Sequence, residues 1–129
     1  MSQVLGQSLV EEQDGIRVEL TALPVGDDLV LVLSGGDKAH IGATAVAQPR
    51  PSLEDPEKIS ASTSVICVMG HKEDLLAHHV AQKTASALNC VVSANCGIHM
   101  DNASKEQIKI IQQLVSTLLQ TFIAQRVKH

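Results

Sequence analysis

Aromatic side chains are almost absent from this sequence, in which Phe122 is the one phenylalanine and neither tryptophan nor tyrosine occurs. Proteins that hold single-stranded nucleic acid stack the bases on aromatic rings, and proteins that bind duplexes present a basic surface. This chain has 10 Lys and Arg against 14 Asp and Glu, which gives a formal net charge of -4. The two properties together exclude nucleic acid as a partner and indicate an acidic, soluble protein.

Cysteines and long apolar runs are also scarce. The three cysteines, Cys67, Cys90 and Cys96, lie within or next to apolar stretches, and their odd number argues against a disulfide framework. No apolar run approaches the roughly 20 residues that a membrane-spanning helix needs, and residues 1–5 lack the pattern of a secretory signal. We therefore expect a protein of the reducing cytoplasm that has no membrane partner.

The length of 129 residues predicts a single domain over 1–129, whose core must be built from Val, Ile, Leu and Ala. Apolar runs predict strands, and apolar residues at helical spacing predict two helices. The strands are predicted at 15–23, 29–33, 41–47, 64–69 and 90–94, and the helices at 72–89 and from Ser104, which forms a capping-box pattern with Gln107, to Phe122. The pattern indicates an α+β fold, in which a mixed sheet of about five strands carries two helices on one face.

Within this sheet we expect an antiparallel meander across the Gly35-Gly36 turn, followed by a β-α-β crossover. Residues 1–14 are interpreted as a loose N-terminal arm, or over 1–12 as a first strand. Residues 48–63 contain three prolines among Ser, Thr and charged residues, which predicts an exposed loop. That loop is either a plain connector or a lid over a site.

Glycine, imidazole and carboxylate recur together in three segments, 34–42, 70–74 and 97–102, each after a strand-like run. His71 and His99 follow the two parallel strands of the predicted crossover, so their loops should lie at the same end of the sheet. Whether His40 joins them depends on the strand order, which the sequence leaves open. The three segments together predict one convergent polar site.

The first two of these segments have features of an anion site. Gly35 and Gly36 allow backbone amides to approach a ligand closely, and Lys38 adds a positive charge. Residues 70–72 open a helix, whose free amide groups favour a phosphate. The motifs of phosphate loops and of dinucleotide-binding folds are both absent from the sequence. Each segment on its own is equally compatible with an ordinary turn or helix start.

The third segment favours a metal ion or an oriented imidazole. Alternation places His99 and Asp101 on the same side of an extended segment, which suits shared coordination or a carboxylate that orients the ring. Together with His40 and His71, these residues form a candidate site for Zn, Mn or another divalent ion. The alternative for this segment is a structural loop that enters the last helix.

The chain resembles the LpdD-like family of prenylated-flavin chaperones, typified by the D subunit of gallate decarboxylase, in Gly-Gly-Asp-Lys-Ala-His-Ile-Gly (35–42), Gly-His-Lys-Glu-Asp (70–74) and Gly-Ile-His-Met-Asp-Asn (97–102). The resemblance covers roughly residues 15–120. It implies a non-catalytic protein that binds reduced prenylated flavin mononucleotide (FMN) and helps to deliver it to a UbiD-type decarboxylase. It also implies a fold related to proteasome-assembly chaperones and a domain that pairs with itself as a homo-oligomer.

The resemblance further implies a cofactor site on the matching positions, which are Gly35, Gly36, Asp37, Lys38, His40, Gly42, His71, Lys72, Gly97, His99, Asp101 and Asn102. A flavin ring needs apolar cover, and in this chain that cover must come from aliphatic side chains or a subunit interface. A divalent metal on His40, His71, His99 and Asp101 that bridges to the cofactor phosphate would explain why imidazoles and carboxylates accompany an anion site.

Two other functions are compatible with the residues. One is a metal-dependent hydrolase or lyase, in which His71, His99 and Asp101 hold the ion and His40 is the acid or base. The other is a protein-assembly chaperone, whose helices or sheet edge bind a partner while the three segments are only structural. A carrier should show no turnover alone, whereas an enzyme should lose its activity on His99→Ala without losing its fold.

Overall fold

The computed structural model describes residues 6–68 and 73–127, and within these ranges six strands form one mixed sheet with two helices against it. The strands are β1 (Gln7–Gln13), β2 (Ile16–Val25), β3 (Asp28–Gly36), β4 (Lys38–Pro51), β5 (Ile59–Cys67) and β6 (Val92–His99). The helices are α1 (Asp74–Leu88) and α2 (Lys105–Val127). The predicted α+β class and the two helices are confirmed, and the sheet has six strands where about five were expected.

The additional strand is β1, which pairs antiparallel with β2 along its whole length. Residues 7–13 therefore follow the first-strand alternative, and this part of the chain is not a loose arm. Leu9 lies opposite Leu20 and packs against the core, so burial of an apolar side chain holds the strand in place.

The expected loop over 48–63 is wrong for most of its length, because β4 continues to Pro51 and β5 begins at Ile59. Pairing between β4 and β6 ends at Ala47, so Pro49 and Pro51 have a neighbouring strand on one side only. A proline is tolerated there because no partner strand needs its missing N–H. The remaining connector is the short turn over 52–58.

The order of strands in the sheet is β1-β2-β3-β6-β4-β5. β1, β2 and β3 form an antiparallel meander, but β3 does not pair with β4, because β6 lies between them. The hairpin predicted across Gly35-Gly36 is therefore wrong. The chain instead passes from β3 to β4 over the end of β6.

β5, α1 and β6 form the predicted crossover, although β4 lies between its two strands. β5 and β6 are each antiparallel to β4 and hence parallel to one another, and β3 is also parallel to β6. The carboxyl ends of β3, β5 and β6 consequently meet at one edge of the sheet. The strand order thus brings the segment of His40 to the same edge as the segment of His99.

The helices cover the face of the sheet on which alternate residues are buried, among them Val18, Leu31 and Ala94. Small residues of α1, such as Ala77 and Ala81, are fully buried and allow the helix to approach the sheet closely. Phe122 of α2 is 1% exposed and fills the core. No helix within the described residues is long and apolar enough to cross a membrane.

The start of α2 has the predicted capping box. The backbone N–H of Ser104 donates to the side chain of Gln107 at 2.9 Å, and the N–H of Gln107 donates to the Ser104 hydroxyl at 3.1 Å. Two amide groups that the helix leaves without partners are satisfied in this way. The other face of the sheet, which we call the open face, is covered by neither α1 nor α2 and exposes Val32, Val46 and Ile66 among polar residues.

Candidate functional site

The turn between β3 and β4 encloses the end of β6. Gly36 and Lys38 lie on either side of His99 and both pair with it, and the N–H of Asp37 donates to the His99 carbonyl at 2.6 Å. Gly36 has a φ of +75°, and a Cβ at this position would overlap the carbonyl oxygen of His99. The glycine therefore makes this close wrapping of backbone around His99 possible.

A β-bulge places His40 beside the start of α1. Between Ala39 and Ala43 the chain of β4 advances four residues while β6 advances two, so the ladder is interrupted. The Nε2 atom of His40 lies 2.9 Å from Oε1 of Glu73, and its Nδ1 atom lies 3.2 Å from the carbonyl oxygen of Lys38. The side chains of His40 and Glu73 are only 14% and 13% exposed, so this pair is largely shielded from water.

Two glycines leave space for the pair. A Cβ at Gly97 would overlap the carbonyl oxygen of His40, and a Cβ at Gly42 would overlap the carboxylate of Glu73. Both glycines are buried. These predicted site residues therefore allow other groups to pack closely rather than contributing functional side chains of their own.

A second imidazole and carboxylate lie next to the first pair. Nε2 of His99 is 2.8 Å from Oδ1 of Asp101, and the N–H of Asp101 donates to the carboxylate of Asp37 at 3.0 Å. The rings of His40 and His99 are nearly perpendicular, with their centres 6.1 Å apart. We call Asp37, Lys38, His40, Glu73, His99 and Asp101 the polar cluster.

Of the remaining predicted site residues, two lie within the described part of the chain and two lie outside it. Gly35 lies at the end of β3 opposite Ile98, and Asn102 lies in the exposed turn before α2 with a φ of +52°. His71 and Lys72 lie outside the described residues. Within residues 6–68 and 73–127, no three His, Cys, Asp or Glu side chains are grouped so that they could hold a metal ion.

Glu73 is the member of the cluster that was not predicted from the sequence, because acidic residues are common at the start of a helix. A signal for it was present, since it follows Gly70-His71-Lys72 in one of the three repeated segments. The Glu73 carboxylate also affects a buried thiol, that of Cys96. Burial raises the pKa of the Cys96 thiol to about 12, and the nearby Glu73 carboxylate raises it as well.

An apolar groove borders the polar cluster on the helix side of the sheet. It encloses about 630 Å³, which is within the range of ligand pockets. Its walls are the start of α1, the first half of α2 and the end of β6, with the lining residues Glu73, Leu75, Leu76, His79, Ile98, Ile108, Ile111, Gln112, Val115 and Ser116. We call this feature the helix groove.

Comparison with known proteins supports the resemblance seen in the sequence. Residues 12–126 match the family model described as the prenylated flavin chaperone LpdD-like domain. The fold is similar to that of a chain in the crystal structure of a chaperone complex for yeast 20S proteasome assembly, with 13% identity, a TM-score of 0.61 and coverage of 95% of this chain and 98% of that one. A comparison with curated protein sequences gave no match.

Proposed function

Because the chain belongs to the LpdD-like family of prenylated-flavin chaperones, we propose that it binds reduced prenylated FMN through its polar cluster and delivers the cofactor to a UbiD-type decarboxylase. The observation that carries this proposal is the meeting of the segments after β3, β5 and β6 at one edge of the sheet. In open α/β sheets, ligands commonly bind outside the carboxyl ends of the strands. The polar cluster is assembled there from three separate parts of the chain.

The charges of the cluster favour Lys38 as the contact to the cofactor phosphate. Each carboxylate already has a partner, since Glu73 bonds His40, Asp101 bonds His99, and Asp37 accepts the N–H of Asp101. The ammonium group of Lys38 is exposed and has no hydrogen-bond or ion-pair partner among residues 6–68 and 73–127. An ammonium of this kind binds phosphate as a point charge.

The test is an anaerobic titration with reduced prenylated FMN, in which binding is measured from the change in the near-ultraviolet absorption of the cofactor. Lys38→Met should weaken binding by about ten-fold, which corresponds to about 1.4 kcal/mol for one lost charge contact. Lys58→Met removes the same charge from an exposed position in the turn over 52–58, at the opposite end of β5, and should leave binding unchanged. If the wild-type chain does not bind the cofactor, the proposal is wrong.

The delivery step is tested with a decarboxylase that lacks its cofactor. The loaded chain should restore decarboxylation, whereas the loaded chain alone should convert no aromatic acid. Turnover by the chain alone would favour the metal-dependent hydrolase or lyase. A chain that binds the decarboxylase polypeptide but not the flavin would favour the protein-assembly chaperone. The expected cytoplasmic location, shared with such a client, is tested by cell fractionation.

The metal-bridged phosphate is a separate part of the proposal. His40, His99 and Asp101 do not form a metal site with any other described residue, and the Nε2 atom of each ring already faces a carboxylate. A bridging ion would therefore require these side chains to exchange their present partners for the metal. Titration after dialysis against EDTA decides the point, because unchanged cofactor affinity would exclude the bridge.

We further propose that the chain pairs with itself through the open face of the sheet. This face exposes Leu23, Val32, Val46 and Ile66, and the similar fold comes from a chaperone complex. Val32→Lys should convert a dimer to a monomer in light scattering. Leu53→Lys, at a position 90% exposed in the 52–58 turn, is the matched control and should not. A monomeric wild-type chain would exclude self-pairing.

A further inference from the structure

The helix groove has the chemistry of a site for a flat apolar ligand. Aliphatic side chains from three elements face the same space, with Leu75 from α1, Ile98 from β6, and Ile108 and Ile111 from α2. Leu75 is 80% exposed and Ile108 is 46% exposed, so apolar surface remains open to solvent at this end of both helices. Apolar surface that remains exposed at the mouth of a concave site is typical of a ligand-binding groove.

The groove and the polar cluster are continuous. Glu73 lines the groove and also bonds His40, so its carboxylate belongs to both regions. Ile98 points toward the helices because it lies two residues beyond Cys96 and four beyond Ala94, on the same buried face of β6. A ligand with one charged end and one apolar end could therefore contact both regions at once.

We propose that the helix groove holds the fused ring of the cofactor, including its prenyl-derived part, while the phosphate end extends over the end of β6 to Lys38, which pairs with His99 there. This inference rests on the proposed function and adds a location and chemistry for the ring. It gives the ring apolar cover without aromatic residues, because aliphatic side chains of two helices and one strand take the place of stacking rings. Phe122, the one aromatic residue of the chain, is buried in the core and does not line the groove.

The open face of the sheet is a poorer site for the ring. Its exposed aliphatic side chains are separated by polar residues, and Thr44 and Asn95 hydrogen-bond to each other across β4 and β6. The open face is also the surface proposed for self-pairing, so a second copy of the chain would compete with the ring for it. The groove instead surrounds a volume of about 630 Å³.

A groove-filling variant tests the inference. Ser116→Phe adds a ring at an exposed groove position of α2, and Thr121→Phe adds the same ring at an exposed position of α2 outside the groove. Ser116→Phe should weaken prenylated FMN by at least about ten-fold and abolish binding of lumiflavin, which is the isoalloxazine ring without ribityl phosphate. Thr121→Phe should bind both as the wild type does. Circular dichroism confirms that each variant is folded.

A second readout does not depend on a filling variant. Because the chain has one aromatic residue, its methyl NMR spectrum carries few ring-current shifts. Lumiflavin should shift the methyl resonances of Ile98, Ile108 and Ile111 and leave those of Ile59, which lies at the amino end of β5 and outside the groove, in place. Shifts confined to the open-face residues Val32 and Val46 would overturn the inference.

The outcomes separate this inference from the proposed function. If wild-type chain binds prenylated FMN but Ser116→Phe binds it equally well and the groove methyl groups do not shift, the ring lies elsewhere and only the groove assignment fails. If the wild-type chain binds no flavin, the proposed function fails and the groove assignment fails with it. If Ser116→Phe is unfolded, the methyl shifts of the wild-type chain decide alone.

Discussion

The carbonyl oxygen of His40 packs directly on the Cα of Gly97, and a side chain at position 97 would occupy the same space. This contact joins the bulge of β4 to β6 and fixes the position from which the His40 ring reaches Glu73. It links the third glycine-containing segment of the sequence to the first.

Gly97→Ala should therefore destabilise the fold and displace His40. Overpacking by one methyl group against backbone should lower the free energy of unfolding by about 2 kcal/mol, measured by urea denaturation. Gly6→Ala is the control, because the nearest atom to a Cβ at that position is 3.6 Å away and the change should be nearly neutral. A Gly97→Ala protein as stable as the wild type would contradict the packing described for the bulge.

The two imidazole-carboxylate pairs should contribute unequally to stability. His40→Ala leaves the shielded Glu73 without this donor and should cost about 2 kcal/mol. His99→Ala should cost less than about 1 kcal/mol, because His99 and Asp101 are 45% and 75% exposed and water replaces the lost contact. Double-mutant cycles with Glu73→Gln and Asp101→Asn measure the two coupling energies. Equal values would contradict the expected difference in the contribution of the two pairs to stability.

Much of this fold follows from local sequence patterns. The capping box of Ser104 and Gln107, the strand over 16–25 and the pairing of His99 with Asp101 were all predictable, since each depends on residues close together in the chain. The insertion of β6 between β3 and β4 was not predictable, because strand order is determined by packing between residues distant in sequence. The loop predicted at 48–63 failed for a related reason, since a proline is compatible with β4 only where β6 has ended.

The candidate site was also predictable in part from local patterns, and in part not. The three segments were predicted to converge, but Glu73 could not be distinguished from other acidic residues until the bulge at His40 faced it. The helix groove also could not be predicted from the sequence. Its walls come from α1, α2 and β6, whose relative placement no local pattern gives.

The capping box predicts a specific ranking of variants at Ser104. Ser104→Ala should lower the free energy of unfolding by about 1 kcal/mol, because the N–H of Gln107 loses its acceptor. Ser104→Asp should retain most of the stability, since an aspartate accepts the same bond and interacts favourably with the helix dipole. Thermal denaturation measures both variants. A Ser104→Asp protein no more stable than Ser104→Ala would show that the cap contributes little.

The three cysteines should differ sharply in reactivity. Cys67 is exposed, whereas Cys90 and Cys96 are buried, and burial raises the pKa of both buried thiols. Because the thiolate is the reactive form, Ellman's reagent at pH 8 should modify one thiol of the native chain quickly and the other two only on unfolding. Cys67→Ser should remove the fast phase. A fast phase that persists in this variant would show that a buried thiol is accessible.

The same shift predicts how stability depends on pH. The Cys96 thiol has a pKa of about 12 in the folded chain against an ordinary value of 9.0, so the unfolded chain loses this proton first as pH rises. The stabilisation is fully present below about pH 9 and is lost progressively between about pH 9 and 12, with a limiting slope of about 1.4 kcal/mol per pH unit for one proton. Cys96→Ala should have a lower free energy of unfolding at neutral pH and a shallower decline in this range, as measured by urea denaturation. Parallel declines in the two proteins would mean that Cys96 does not titrate as its burial requires.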